Sequence, residues 1–397
     1  MKRHSCLSHS GPVLQRGFSI VELMVSVVIG MLALMFATRM ITGGESTRQA
    51  ALGGSDSMQN GMLALYSMSN DATQAGFGLN DPILAGCDTL FNDKRGYTLA
   101  QANRDSAVIQ PLAPVVITNG AKSDTISLYS GSSLTGTGTV RIVGDYTAGT
   151  SVTLDSEPYG FRANDVIVVA PEARDAKCSL AQVSVTPSAG ATTKILRFDT
   201  GADQRFNSGD LNADYKANAT RIFNLGPGDK LAFHTWSVKD GFLQLRATDL
   251  ANSGATATTI ADNLVSIKAQ YGFDTRPTAS FNPETGATVT KWSSTMIDAD
   301  NDTVNGGAGD FQRIVAVRLA VVARGKAPQR PAPGAACNAT PAAISVFGSE
   351  QPKGVTPAPV TLDLAIAGDT VDWNCYEYRV FETIVPIRNA AWRPTAW

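Results

Sequence analysis

The chain has 397 residues, 43% hydrophobic and 17% charged, with a formal net charge of −2, 36 Gly and 19 Pro. That length allows one large domain or two modest ones, each able to bury a core. The near-neutral balance, with no basic run, excludes nucleic acid as a partner for its body, and the low charge points to an extracytoplasmic β-rich surface rather than a cytosolic enzyme.

Residues 1–17 carry Lys2, Arg3 and Arg16 and no acid. They precede Phe18–Ala37, a mostly apolar stretch with a single charge, Glu22. At about 1.5 Å per residue a helix here is about 30 Å long, enough to cross a bilayer core. The positive flank in front of it keeps the N-terminus cytoplasmic. A secretory signal would have a shorter apolar stretch followed by a small-x-small cleavage site. A plain signal anchor leaves Glu22 unexplained, because a carboxylate inside a membrane helix costs on the order of 3 kcal/mol and usually marks function.

Arg16-Gly17-Phe18-Ser19-Ile20-Val21-Glu22-Leu23-Met24-Val25 resembles the type IV prepilin signature: a basic leader ending in Gly, an aromatic first mature residue, a hydrophobic helix and a Glu at its fifth position. The resemblance implies cleavage by a prepilin peptidase between Gly17 and Phe18, followed by N-methylation of Phe18. It also implies that Glu22 acts in assembly. Cleavage creates an ammonium on Phe18 one helical turn before Glu22. In a bundle of such helices Glu22 can neutralise a neighbour's ammonium, and burying the two charges as a pair is far cheaper than burying either alone.

Further along, Met58, Met62, Leu65, Ser69, Ala72 and Gly76 recur at helical spacing and predict an amphipathic stripe packed on a head. Gly43-Gly44 and Gly53-Gly54 interrupt it, each Gly costing up to about 1 kcal/mol in a helix interior, and predict either a kink or a segment that unwinds on assembly. Asn70-Asp-Ala-Thr-Gln-Ala-Gly-Phe-Gly78 ends the helix with glycines. It is similar to the ending found in minor pilins of the PilW kind.

From about residue 105 the pattern becomes β, with short Val-, Ile- and Thr-rich runs between Gly, Ser, Asn and Asp turns. Predicted strands are Pro114–Thr118, Thr125–Tyr129, Thr139–Val143, Asp165–Ala170, Thr193–Phe198, Leu231–Val238, Phe242–Ala247, Arg313–Ala323 and Tyr376–Ile387. Leu264–Asp274, preceded by Ala261-Asp-Asn, and Tyr378–Asn389 also resemble segments of PilW-type proteins. The Pro- and Ala-rich stretch Ala327–Ala342 reads as an exposed loop.

Of the chain's three histidines, His4 and His9 fall in the leader, and His234 reads as a half-buried strand residue. With no G-x-S-x-G elbow beside it, no catalytic residue is assigned. Of five cysteines, Cys6 lies in the leader without the small apolar residues that precede a lipoprotein cysteine. Cys87, Cys178, Cys337 and Cys375 permit three disulfide connectivities in an oxidising compartment, and sequence alone does not choose among them. Pairing in chain order, Cys87 with Cys178 and Cys337 with Cys375, would staple each half of the head. A zinc site would need the paired C-x-x-C spacing these cysteines lack.

Asp298, Asp300 and Asp302, followed by glycines, resemble the start of a calcium loop. Thr303 replaces the usual glycine and no Glu supplies the final ligand, so a polar hairpin loop accounts for the run equally well. No other cofactor is expected.

The expected fold is α+β and type IV pilin-like: a leader at 1–17, a long helix at 18–78 with its transmembrane part at 18–37, and a β-rich periplasmic head at 79–397 in one or two subdomains. The resemblance implies a structural role, as a minor pilin that initiates or tips type IV pilus assembly. A type II secretion minor pseudopilin and a tip-borne adhesive module are the alternatives. The implied partners are other minor pilins, the major pilin, the prepilin peptidase, the inner-membrane assembly platform and the membrane itself. The implied location is the inner membrane, with a cytoplasmic N-terminus, and then the filament.

Overall fold

Helix α1 runs from Ile20 to Gln74. The computed structural model describes residues 19–132, 139–187, 194–277, 280, 286–329, 331, 334–366 and 368–389, with the backbone alone for 42–54. Residues up to Leu52 and residues from Gly53 onward form separate compact units. The α1 backbone is helical at Gly43-Gly44 and at Gly53-Gly54. Neither pair breaks the helix, because a glycine weakens a helix without removing a backbone donor.

In the first unit, Ile20–Ile41 is long and apolar enough to cross a membrane, and none of it is buried. In the second unit the strands of the three larger sheets, in chain order, are β1 (Cys87–Leu90), β2 (Pro111–Leu112), β3 (Val115–Thr118), β4 (Thr125–Ser130) and β5 (Val140–Arg141). There follow β6 (Asp165–Pro171), β7 (Lys177–Gln182), β8 (Thr220–Pro227), β9 (Ala232–Lys239) and β10 (Phe242–Ala247). The last are β11 (Thr258–Asp262), β12 (Leu264–Phe273), β13 (Lys291–Ser293), β14 (Ile314–Arg324) and β15 (Tyr378–Pro386). They form a six-stranded sheet, β2-β1-β7-β6-β8-β5, a five-stranded sheet, β11-β10-β9-β4-β3, and a four-stranded sheet, β13-β12-β14-β15.

The main core joins residues of all three sheets to Ala64, Met68, Ala72 and Ala75 of α1. A second core, including Tyr146, Phe161, Phe198 and Tyr215, is built on the six-stranded sheet. Every residue of β12 is buried, and so is every residue of β14 except Arg324. Burial on both faces is why β14 reads as a nearly continuous apolar run. The exception inside that run, Arg318, bonds Gln270 Oε1 at 2.8 Å and lies 4.8 Å from the Trp292 ring and 4.6 Å from the Phe347 ring. Burial lowers its pKa to about 10.

The predicted helical stripe is displaced by one residue along its first part, from Met58 to Ser69, whereas Ala72 and Gly76 are buried as expected. Met58 and Met62 are 47% and 52% exposed, and the buried face is Ser57, Gly61, Ala64, Met68, Ala72 and Ala75. One residue turns a helix by about 100°. Ranking side chains by hydrophobicity selects the methionines, whereas close approach selects the smallest side chains. At Gly61 an added Cβ would lie 2.2 Å from the Phe381 ring of β15.

Strands β1, β2, β7, β8, β11, β12 and β13 carried no strand prediction, and the expected Thr139–Val143 and Thr193–Phe198 shorten to Val140–Arg141 and Ile195–Arg197. The structure joins Cys87 to Cys178 and Cys337 to Cys375. The first bridge lies across the parallel pairing of β1 with β7, and the second ties the Pro- and Ala-rich loop to the chain just before β15. Gly61→Leu should lower head stability by about 1–3 kcal/mol through overpacking, measured by chemical denaturation. Phe381→Ala in the same chain should recover part of the loss, and an unchanged midpoint in Gly61→Leu would refute the close approach.

Candidate functional site

Glu22 lies in the first turn of α1 on an exposed apolar span. At helical spacing it shares a face with Ser26, Gly30, Ala33 and Ala37. Small side chains therefore follow the carboxylate along the helix, and Gly30 has nothing within 4 Å of the place a Cβ would take. Gly17 and Phe18, the expected cleavage pair, lie outside the described residues.

From Gly53 onward the helix is clamped to the head at three levels. At the first, Lys326 Nζ stands 3.3 Å from Asp56 Oδ2 and 3.7 Å from Asp262 Oδ2. Asn60 Nδ2 donates to the Asp262 carbonyl at 3.2 Å and also to its carboxylate. At the second, Gly61 meets Phe381. At the third, Asp71 Oδ2 takes Trp236 Nε1–H at 2.8 Å and pairs with His234 Nδ1 at 2.8 Å, while His234 Nε2 pairs with Asp249 Oδ1 at 2.8 Å.

The chain then leaves the helix through Gly76, whose φ of +83° suits the left-handed position of a C-terminal cap. The Gly76 N–H donates to Tyr129 O at 2.8 Å, and Asn389 Nδ2 donates to the Gln74 and Ala75 carbonyls at 3.2 Å each. The helix ending around Asp71 and the two head segments that carried the resemblance, around Asp262 and Phe381–Asn389, thus come together here.

His234 is a half-buried strand residue, but its partners were not legible in the sequence. Burial pulls its pKa down, yet the hydrogen bonds and charges of Asp249 and Asp71 outweigh this and raise it to about 9. Burial also opposes ionisation of Asp249, and the His234 bond and charge nonetheless hold that carboxyl below its ordinary value. The one available signal was the spacing of charges: Asp56 and Asp71 bracket a helical stretch, residues 57–70, without a charged residue.

The structure brings Asp298, Asp300 and Asp302 together, with one oxygen of each within 4.8 Å of the others. It also places a cation of the chain's own among them. Arg174 pairs with Asp300, and its Nη1 lies 2.8 Å from Asp302 Oδ2. The Asp298 oxygens accept the Asp302 and Thr303 N–H groups at 3.0 Å each. Buried Asp310 accepts the Ala299, Asp300, Gly306 and Gly307 N–H groups, and burial raises its pKa to about 7. The geometry is that of a polar loop closed by an arginine, in which a calcium ion would have to displace the guanidinium.

A membrane-length apolar helix thus precedes, in the chain, a β-rich head that grips helix residues 56–75. Residues 236–389 match the family described as Type IV Pilus-assembly protein W, and residues 14–38 match the Prokaryotic N-terminal methylation motif. Over those two stretches the chain is similar to type IV pilin-like proteins of the PilW kind. No curated protein matches it. Among solved structures, a type IV-like pilin from Thermus thermophilus is similar at 9% identity, over 85% of this chain and 97% of that one, with a TM-score of 0.28.

Two outcomes follow from this geometry. His234 has a folded pKa near 9 against an ordinary 6.5, so its contribution is complete below about pH 6.5 and is lost as pH rises through 9. Head stability should fall by on the order of 2–4 kcal/mol across that window, and His234→Gln should flatten the profile in pH-dependent unfolding. Millimolar calcium should leave the thermal midpoint of the protein unchanged. In Arg174→Ala the midpoint should drop and become calcium-dependent, and calcium stabilisation of the unmodified protein would instead establish an ion site.

Proposed function

We propose that the protein is a minor pilin of a type IV pilus, cut between Gly17 and Phe18, N-methylated at Phe18 and assembled through its N-terminal helix. One observation carries this reading: an unburied apolar helix, Ile20–Ile41, with Glu22 in its first turn. A lone carboxylate there is unfavourable in lipid by on the order of 3 kcal/mol, and a neighbour's N-terminal ammonium would offset that. The small residues that share its face would let the neighbouring helix come close.

The clamp gives the head a matching part. Residues from Asp56 to Ala75 are held by ion pairs, hydrogen bonds and a glycine contact, so the head is carried as one body with the end of the helix. A head of this size suits a subunit that begins or tips a filament better than one repeated along a shaft. In this reading the partners are other minor pilins, the major pilin, the prepilin peptidase and the inner-membrane assembly platform, and the head faces the periplasm before incorporation.

Gly17→Arg should leave the chain uncut in cells that contain a prepilin peptidase, as read by intact mass; normal processing would misplace the site. Glu22→Ala should be processed normally yet fall at least roughly tenfold in sheared filaments. Undiminished incorporation would remove the charge-pair account.

A further inference from the structure

Strand β15 is an edge of the four-stranded sheet and is nine residues long, against three in the opposite edge strand, β13. It pairs with β14 without a register shift from Tyr378↔Arg324 to Pro386↔Ala316. Contacts at either end set the direction of each peptide group. Gly325 N–H donates to Glu377 O at 2.8 Å, and Ile387 N–H donates to Val315 O at 2.9 Å. Bonded residues alternate in an antiparallel ladder. Arg379, Phe381, Thr383 and Val385 therefore bond β14, whereas Val380, Glu382 and Ile384 direct their N–H and C=O groups outward.

Among the described residues no strand lies on that side and no hydrogen bond reaches those outward groups. Thr340 covers the chain only as far as Tyr376, through its backbone bond to Asn374 O and its hydroxyl bond to Tyr376 O. Exposure agrees: β12 is buried throughout, while in β15 only Val385 is buried.

The helix supplies a wall beside this edge. Gly61 sits on Phe381, and Asn60, about 100° round the helix, reaches back to Asp262 at the end of β11, just ahead of β12. Met62, about 100° the other way, points past β15 with Met58 one turn before it, both about half exposed. A surface helix face normally carries charge, and this one carries thioethers, which adapt to varied partners.

The geometry points to an acceptor edge: β15 receives an extended segment of a protein partner as an added strand, with alternate residues of that segment against Met58, Met62 and Phe381. Only an extended backbone offers donors and acceptors at the spacing of Val380, Glu382 and Ile384. Charge argues against a second copy of this chain, because full antiparallel overlap of two β15 strands sets Glu382 opposite Glu382. The segment that fits has a basic residue opposite Glu382 and apolar residues on either side of it. The inference concerns the head alone and holds whichever appendage the protein serves.

The test is amide hydrogen exchange on the full chain in detergent micelles, with the peptide Thr-Val-Thr-Val-Lys-Val-Thr-Val-Thr as probe. Exchange at Val380, Glu382 and Ile384 should slow roughly tenfold, and a peptide N-methylated at Lys and its two nearest Thr residues should have no effect. Glu382→Pro removes one outward donor and leaves the ladder to β14 intact. It should abolish the response that Glu382→Ala retains; if the proline variant does not fold, the N-methylated peptide decides. No slowing, equal slowing by the N-methylated peptide, or amides already protected in the free protein, whether by self-pairing or by residues 390–397, would each overturn the proposal.

Discussion

The head is organised by the closeness of α1 to the strands beneath it. At Gly61 the helix backbone meets the Phe381 ring with no room for a methyl group. The residues that follow on the buried face, Ala64, Ala72 and Ala75, are nearly as small, and Met68 alone fills a wider gap. A face built this way buries little apolar area per residue, so hydrophobic burial by itself holds it weakly. Directional contacts make up the difference, and they are placed at the ends of the stretch.

Those contacts differ in strength because they differ in exposure. The Lys326 ion pairs are about half exposed, where water screens them and each contributes little. The Asp71–His234–Asp249 relay is mostly enclosed, and two carboxylates there keep one imidazole charged. A buried polar relay of this kind supplies direction more than net stability. Asp71 can be satisfied at only one axial position of the helix, so the relay fixes register where the alanine face would tolerate a slip.

The acidic loop follows the same logic, with carboxylates again gathered round one cation of the chain. Asp298, Asp300 and Asp302 gather in one loop, and the chain answers them with Arg174 from the loop after β6. Asp175 next to it accepts the Ala308 N–H and pairs with Arg104. The turn between β6 and β7 is thereby tied to the loop ahead of β14, and the two sheets are linked through neutralised charge.

What the sequence determined by itself was local. The apolar span with Glu22 is a run of neighbours in the chain, the glycine ending of α1 is a backbone requirement of one residue, and the β character of the head follows from short-range alternation. The position of Gly76 and most long strands could be read in this way. The buried face of α1 could not, because it depends on Phe381, far along the chain, rather than on which helix residues are most hydrophobic. Nor could the pairing of His234 with Asp71 or of Arg174 with Asp300, 163 and 126 residues apart. A side chain's period is written in its own segment, but its charge partner is set by which loops and strands the fold brings beside it, and only the tertiary structure decides that.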